Sequence, residues 1–599
     1  VQPNNQVTGA THTVLAHPSD ADTLYVGAVN GGIWKTTDAT ATNPTWTPQT
    51  DFMDSLSIGA MAFDVQDASN NTLVAGTARY SSFAGIGGSR GAVYRTSDGG
   101  ATWADAGSEG LVGENISGIA SSFNTIVVTT SANSSNFGVS GNGGIYRSTD
   151  RGETFAPVNG PGFSTPGDYF HDLVQDPSDA AGQRLYAAAV GNGIFRSDDF
   201  GASWAKITSA AIDAGMDSLL TDPGNNNIEM TVHPTTGRLY VAVLIDSQPQ
   251  GVFHTNTGDA ATPTWTQMDV PVLPLSAGIA LTDASNTTPI EITSANHGLF
   301  TGDFVVVNGV VGNTGANGFF QVTYVDPDTF SLDRSVGNAA YTSGGTWTQV
   351  TGPSPKVKDI DETGAQGKIH FSITVDPANE DLLFIGGDRQ ELPSPIGDVM
   401  YSGAVFRGDA SIAADPTVVP SPQWDHLTHD QVTMDPEGGT ANGSAPHADS
   451  REMTFDADGN LIEVDDGGIF KRTSPGDNTG DWFSLAGSLG VVEFHDIAYD
   501  STSGIIVGGT QDNGTHMQTA SGSVIWEMYS GGDGGDVAID TVTLAASGQS
   551  IRYSSSQYLG GFQRSYWDAS NNLIGRDYPS LSVIGGGSFL QPQFYTPSK

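Results

Sequence analysis

What most constrains this chain is an aromatic residue that returns about every 50 residues, in its first five copies after a turn-rich stretch ending in Thr or Ser. Trp46, Trp103, Phe155, Trp204 and Trp265 mark the first five units, and Trp424, Trp482, Trp526 and Trp567 mark later ones. Ahead of many of them a glycine precedes an aliphatic, aromatic and basic triplet: Ile33-Trp34-Lys35, Val93-Tyr94-Arg95, Ile145-Tyr146-Arg147, Ile194-Phe195-Arg196, Val405-Phe406-Arg407 and Ile469-Phe470-Lys471. Further upstream lies another apolar run, such as Leu24-Tyr25-Val26 or Leu382-Leu383-Phe384-Ile385. Alternating β-branched and aromatic residues read as strands, about four per period. A four-stranded sheet repeated every 40 to 50 residues or so is the pattern of a β-propeller blade, which buries its faces only by stacking on neighbours. The expected fold is therefore all-β, with about nine to ten four-stranded blades. They form either a single large ring or two propellers, the second incomplete. The tail around Phe594-Tyr595-Thr596-Pro597 would close the ring or begin a further blade, and 207–222 is the one candidate helix.

The period breaks once. Trp265-Thr266-Gln267-Met268 and Trp347-Thr348-Gln349-Val350 are near duplicates, and between them runs a segment with His297-Gly298-Leu299, Gly302-Asp303 and Asn317-Gly318. It resembles a small all-β module of phage-tail and large secreted bacterial proteins that is named after a fold in ubiquitin-activating enzymes. The division expected is blades over 1–276, an inserted module over 277–347, and blades over 348–599. His297 reads as a turn residue.

Three units carry a tighter motif: Thr96-Ser97-Asp98-Gly99-Gly100-Ala101-Thr102-Trp103, Ser148-Thr149-Asp150-Arg151-Gly152-Glu153-Thr154-Phe155 and Ser197-Asp198-Asp199-Phe200-Gly201-Ala202-Ser203-Trp204. A carboxylate can accept hydrogen bonds from turn amides, glycine can take positive φ, and the aromatic can bury against the sheet. Asp98, Asp150 and Asp199 are thus expected to be structural, with degraded copies near Asp38 and Asn256. The motif resembles the Asp-box, or BNR repeat, of sialidases, xyloglucanase-like glycoside hydrolases and Vps10 domains.

Composition narrows the partners. Acidic residues outnumber basic ones 66 to 23, for a net charge of −43, which argues against nucleic acid or an anionic membrane. With no cysteine, disulfides and thiol ligands are excluded. No stretch approaches 18 apolar residues, so no membrane insertion is expected. The Asp-rich, Gly-rich balance suits a secreted protein of a bacterial cell surface, and the opening Val1 suggests a processed product or an excised piece.

Acids outside the Asp-box position cluster in the C-terminal third: His447-Ala448-Asp449-Ser450-Arg451, Asp465-Asp466-Gly467-Gly468, Phe494-His495-Asp496, Gln511-Asp512-Asn513-Gly514 and Asp533-Gly534-Gly535-Asp536. Recurring positions in successive blades face one mouth of a propeller channel, so a carboxylate-rich mouth is expected. The candidate catalytic residues are Asp466, Asp512 and Asp533, and the candidate substrate-binding residues are His447, Asp449, Arg451, Gln511 and Asn513. Clustered carboxylates repel unless a cation or a raised pKa relieves them, and calcium at Asp465, Asp533 and Asp536 is the expected cofactor.

These clusters resemble bacterial BNR-repeat proteins related to the xyloglucanase-like hydrolases, whose catalytic acid and base are two Asp on Asp-x-Gly-Gly strands. Asp466 matches one. The other position holds Asn30, in Val29-Asn30-Gly31-Gly32, which cannot ionise, whereas inverting hydrolysis needs two carboxyl groups. A sialidase would need an arginine triad and is disfavoured. The leading expectation is a binding, adhesion or scaffold propeller for glycans, part of a larger surface assembly. A glycoside hydrolase with an acidic channel-mouth site is the alternative, and a peptide receptor of Vps10 type is third.

Overall fold

The computed structural model describes residues 6–82, 85–131, 142–255, 262–352, 366–390, 402–428, 440, 443–582, 593 and 596. It is all-β. Among these residues nine sheets have four strands each, in sequence order from inner to outer edge, and one larger sheet has eight. Asn256 and most of the expected closing segment at 594–597 lie outside the described residues.

The chain divides into two units. The first takes in Thr11–Asp465 and Ile469–Ser488, and its seven four-stranded sheets start at the strands Thr11–Ala16, Ile58–Phe63, Asn115–Ser122, Phe170–Gln175, Asn225–Val232, Ser372–Val375 and Glu452–Phe455. Each of these inner strands packs on the next, and Glu452–Phe455 packs back on Thr11–Ala16. The result is a closed seven-bladed propeller. Closure has an outer component too: Trp46 donates from its backbone N to Ser488 Oγ at 2.8 Å and from Nε1 to the Leu485 carbonyl at 2.8 Å. Of the two arrangements expected, the single large ring is therefore not what forms: seven blades close on themselves, and the two remaining four-stranded sheets belong to the second unit.

Apolar side chains from facing sheets fill the space between blades, because neither face of an isolated sheet could be buried otherwise. Between blades five and six, Tyr240, Leu244, Phe371, Leu383, Phe406 and Trp424 share one core. That contact forms although the eight-stranded sheet, with strands from Leu273–Pro274 to Thr346–Thr351, interrupts the chain there. This inserted sheet has its own core, with Phe330 and Trp347 in edge contact at 5.5 Å. His297 is mostly buried in it, with Nε2 2.8 Å from the Asp326 carbonyl. A seven-residue helix, Ala214–Leu220, is capped by Asp213, whose side chain accepts from Met216 N.

The Asp-boxes work as local braces. Asp98 Oδ1 accepts from Thr96 Oγ1 and Thr102 N, while Oδ2 accepts from Thr102 Oγ1. Asp150 repeats this with Ser148 and Thr154, and Asp199 with Ser197 and Ser203. Gly100, Gly152 and Gly201, with φ of 89°, 96° and 77°, let the turn return to the same hydroxyl. Hydrogen bonds from Thr102 hold the Asp98 carboxyl at about 2, and those from Ser148 and Thr154 do the same for Asp150. The degraded copy at Asp38 keeps the bonds from Thr36 and Thr45. Asp199→Ala should cost about 1 kcal/mol, since the brace is exposed and water replaces much of what is lost; urea unfolding of the variant measures it.

The second unit consists of Val7–Ala10, Asp466–Gly468 and Leu489–Lys599. Its two four-stranded sheets begin at Phe494–Asp500 and Ala538–Asp540 and enclose a core of Ile505, Val507, Met517, Val537 and Trp567.

Candidate functional site

In the second unit, the segment joining the strands Ile505–Thr510 and Gly514–Gln518 turns through Asp512 at φ 57°. This tight turn brings three of the expected clusters together. Asp533 Oδ1 accepts from Asp512 N at 2.8 Å and from Gln511 Nε2 at 2.9 Å. Gln511 Nε2 also reaches Asp512 Oδ1 at 2.8 Å, and its Oε1 lies 2.9 Å from His495 Nε2. His495 Nδ1 lies 2.7 Å from the Gly534 carbonyl. Asn513 Nδ2 donates to the Asp466 carbonyl at 3.0 Å and so fixes the backbone at that buried residue. Asp512 and Asp533 thus belong to one network with Gln511 as its link, whereas the bond from Asn513 reaches Asp466 at its backbone carbonyl and not at its carboxylate.

Beside it lies a second carboxyl pair. Burial, and then the negative charge and hydrogen bond of Asp536, push the Asp496 carboxyl above the usual range, although Val537 N donates to Asp496 Oδ2 at 3.2 Å. Asp536 therefore faces Asp496. Asp465, the third member of the expected calcium trio, is a buried residue of the first unit, where its carbonyl accepts from Thr11 Oγ1 at 3.4 Å.

The remaining expected residues lie in the first unit. Asp449 adopts φ 75° and donates its N–H to the Asp388 carbonyl at 3.2 Å. Its Oδ1 lies 3.2 Å from His370 Nδ1. Arg451 donates from Nη1 to the Tyr80 carbonyl at 2.9 Å and points Nη2 at His370 Nε2, 3.1 Å away. A guanidinium can only donate, so His370 accepts at Nε2 and carries its proton on the nitrogen facing Asp449. Burial first, and then the Asp449 charge, raise the Asp388 carboxyl well above its ordinary range. His447 is less central: Nδ1 lies 3.0 Å from the Ala448 carbonyl and its backbone bridges Ser402.

His370, Asp388 and Asp496 were not among the expected site residues. Nor were Asp172, Glu229 and Glu452, which line a cavity of about 150 Å³ bounded by the inner strands of the seven-bladed ring. One signal was present in the sequence: Phe170-His171-Asp172 recurs as Phe494-His495-Asp496. In both blades the ladder skips the histidine, and the aspartate accepts an N–H from the next blade, Met230 for Asp172 and Val537 for Asp496. Glu452 does the same with Val14 N at 2.7 Å.

Known proteins resemble the chain in part. A family model of the ubiquitin-activating enzyme E1 FCCH domain matches residues 290–351, within the inserted sheet. A xyloglucanase of Paenibacillus sp is 47% identical over 73 residues, covering 11% of this chain and 7% of the relative. A xyloglucanase of Hypocrea jecorina (strain QM6a) is 26% identical over 250 residues, covering 40% of this chain and 26% of the relative. The chain therefore spans well under a third of each of these relatives. Among solved structures, the GH74 xyloglucanase from Xanthomonas campestris is similar with a TM-score of 0.36 and 15% identity, over 96% of this chain and 74% of that one. The GH74 enzyme of Niastella koreensis gives 0.32 and 17%, over 96% and 92%. YCF48 from Cyanidioschyzon merolae gives 0.28 and 13%, over 69% and 94%. The chain has a BNR-repeat β-propeller fold similar to that of the xyloglucanases.

Proposed function

We propose that this chain acts on a polysaccharide of the xyloglucan class as a glycoside hydrolase-like protein, with its reactive carboxyls in the second unit. The observation that carries the reading is a pair of unlike environments at one end of that unit. Asp496 is pushed towards its protonated form by burial and by Asp536, while Asp533 receives two N–H donors that favour the carboxylate. Hydrolysis of a glycosidic bond needs this division, one carboxylic acid to protonate the leaving oxygen and one carboxylate to activate water or attack. Asp496 is assigned the acid and Asp533 the base, with Gln511 and His495 positioning them and Asp512 completing the wall. The relatives named xyloglucanases supply the substrate class, and a neutral polymer suits an acidic surface. Such a substrate is met outside the cell, which makes this a secreted protein.

Incubation of the full chain with xyloglucan and with other β-glucans should release reducing ends, and Asp533→Asn should lower the rate by about 10²-fold or more. No release from any of these polymers would sink the hydrolytic reading. Asn30 favours a second reading, binding without turnover. It is locked as an amide, with Oδ1 accepting from Ser57 Oγ at 2.6 Å and Nδ2 donating to the Ile86 carbonyl at 3.1 Å. Retention on xyloglucan without release of reducing ends is the result that reading expects.

A further inference from the structure

Asp533 is held from two sides. The turn of the eighth sheet, Gln511–Asn513, reaches its carboxylate. A longer connection of the ninth sheet, residues 555–562 between the strands Gln549–Ser554 and Gln563–Asp568, takes its backbone. Gln557 N donates to the Asp533 carbonyl at 2.9 Å, and Asp533 N donates to Gln557 Oε1 at 3.0 Å. Gly535 N donates to the Ser555 carbonyl at 2.8 Å. A Cβ at Gly532 would lie 2.8 Å from Gln557 Oε1 and 2.9 Å from Ser556 Cβ, so glycine is what lets the two segments approach this closely. The loop then closes on itself: the Gly560 carbonyl accepts from Ser556 N at 2.8 Å and from Ser556 Oγ at 3.0 Å.

At the tip of this loop Tyr558 and Leu559 stand at φ 57° and 56°. The left-handed region suits glycine, asparagine and aspartate, and for two bulky residues in succession it is strained. Neither side chain joins the core around Trp567. The conformation instead holds the Tyr558 side chain 37% exposed, on a loop tied to both backbone groups of Asp533. Strain of this kind persists where the surrounding bonds over-determine it, and it concentrates at active sites and ligand clamps.

We infer that Tyr558 is a substrate-binding residue, a platform on which one sugar ring of the polysaccharide stacks beside Asp533. The inference rests on the reading above that this end of the second unit takes a polysaccharide. A pyranose presents a face of C–H groups, and a tyrosine offers it an apolar ring with a hydroxyl at the rim for the sugar's own hydroxyls. Because Gln557 fixes the loop to Asp533, a sugar seated on Tyr558 sets the register of the polymer against the reactive carboxylate.

The full chain and its variants Tyr558→Ala, Tyr558→Phe and Tyr558→Gly are assayed on xyloglucan for reducing ends, and by affinity electrophoresis in gels containing the polymer, which follows binding apart from turnover. Tyr558→Ala should raise KM, and the dissociation constant from gel retardation, about three- to tenfold with kcat little changed, the loss expected for one stacked ring. Tyr558→Phe, which keeps the ring, should recover most of that loss. Tyr558→Gly should bind as weakly as the alanine variant while its unfolding temperature holds or rises, because glycine adopts φ 57° without strain, whereas removing a purely structural tyrosine would lower it. Unchanged KM and retardation in Tyr558→Ala overturn the inference, and they leave the hydrolytic reading standing where the parent chain releases reducing ends. A parent chain that is retarded but releases none, with retardation lost in Tyr558→Ala, sinks that reading and upholds this one. Neither retardation nor release from the parent chain overturns both.

Discussion

Asp500→Ala should destabilise the second unit by about 3–5 kcal/mol, because it leaves a buried guanidinium without its counter-charge. Asp500 ends the inner strand of the eighth sheet, and Arg552 lies in the neighbouring sheet; both side chains are fully buried. Arg552 donates to Asp500 Oδ2 from Nε at 3.0 Å and from Nη2 at 2.8 Å, and Ser550 Oγ donates to the same oxygen. Its guanidinium stands 4.4 Å from the Trp567 ring, so charge and packing are held by one side chain. Burial alone would raise the Asp500 carboxyl, but the bonds from Ser550 and Arg552 outweigh it and hold the group below its ordinary range. A depressed folded pKa means that this contribution is complete above the unfolded value of about 4 and is lost as pH falls below it. Urea unfolding at pH 7 measures the effect, and a loss under about 1 kcal/mol would show that the pair is not the clamp described.

The first unit should respond to pH in the opposite sense. Asp172 and Glu452 are pushed up to about 7 and Glu229 well above its ordinary range, so the folded ring binds more protons than the unfolded chain between about pH 4 and 7. A raised carboxyl contributes stability that is fully present below the unfolded pKa and is lost as pH climbs through the folded one. In EDTA, the unfolding free energy of this unit should therefore fall by about 1.4 kcal/mol per pH unit for each group titrating across that window. Two kinds of group oppose this: the Asp-box carboxyls only at low pH, since Asp98 and Asp150 sit at about 2, and His171, which burial and the Lys368 charge bring down to about 4, up to about pH 6.5. The net decline should therefore be steepest above about pH 6. Glu229→Gln should flatten the decline and raise the midpoint at pH 7.5. A profile that rises from pH 5 to 7.5 in EDTA would contradict the assignment.

The blades were legible because their signals are local. Each Asp-box binds hydroxyls and amides within four residues of the aspartate, and each aromatic–basic triplet occupies one strand, so the pattern survives in linear sequence. Ring closure was not legible, because it rests on Thr11–Ala16 meeting Glu452–Phe455, two inner strands that share no motif. The site divides in the same way. Gln511, Asp512, Asn513 and Asp533 stand in glycine-flanked turns and announce themselves. Asp172, Glu229, Glu452 and Asp388 are each the one acid of their strand, with no glycine-flanked turn to mark them.

The carboxylate that reaches from one blade to the backbone of the next has a topological meaning. Asp172 with Met230 N spans a junction that the chain crosses continuously, and Glu452 with Val14 N spans the one where the ring's two ends meet. The bonding at the seam is thus the same in kind as at an interior joint. In the geometry of this ring the starting point of the polypeptide is arbitrary, and a gene for residues 11–488 that cut the circle at another blade boundary and joined 488 to 11 would encode the same joints in rotated order.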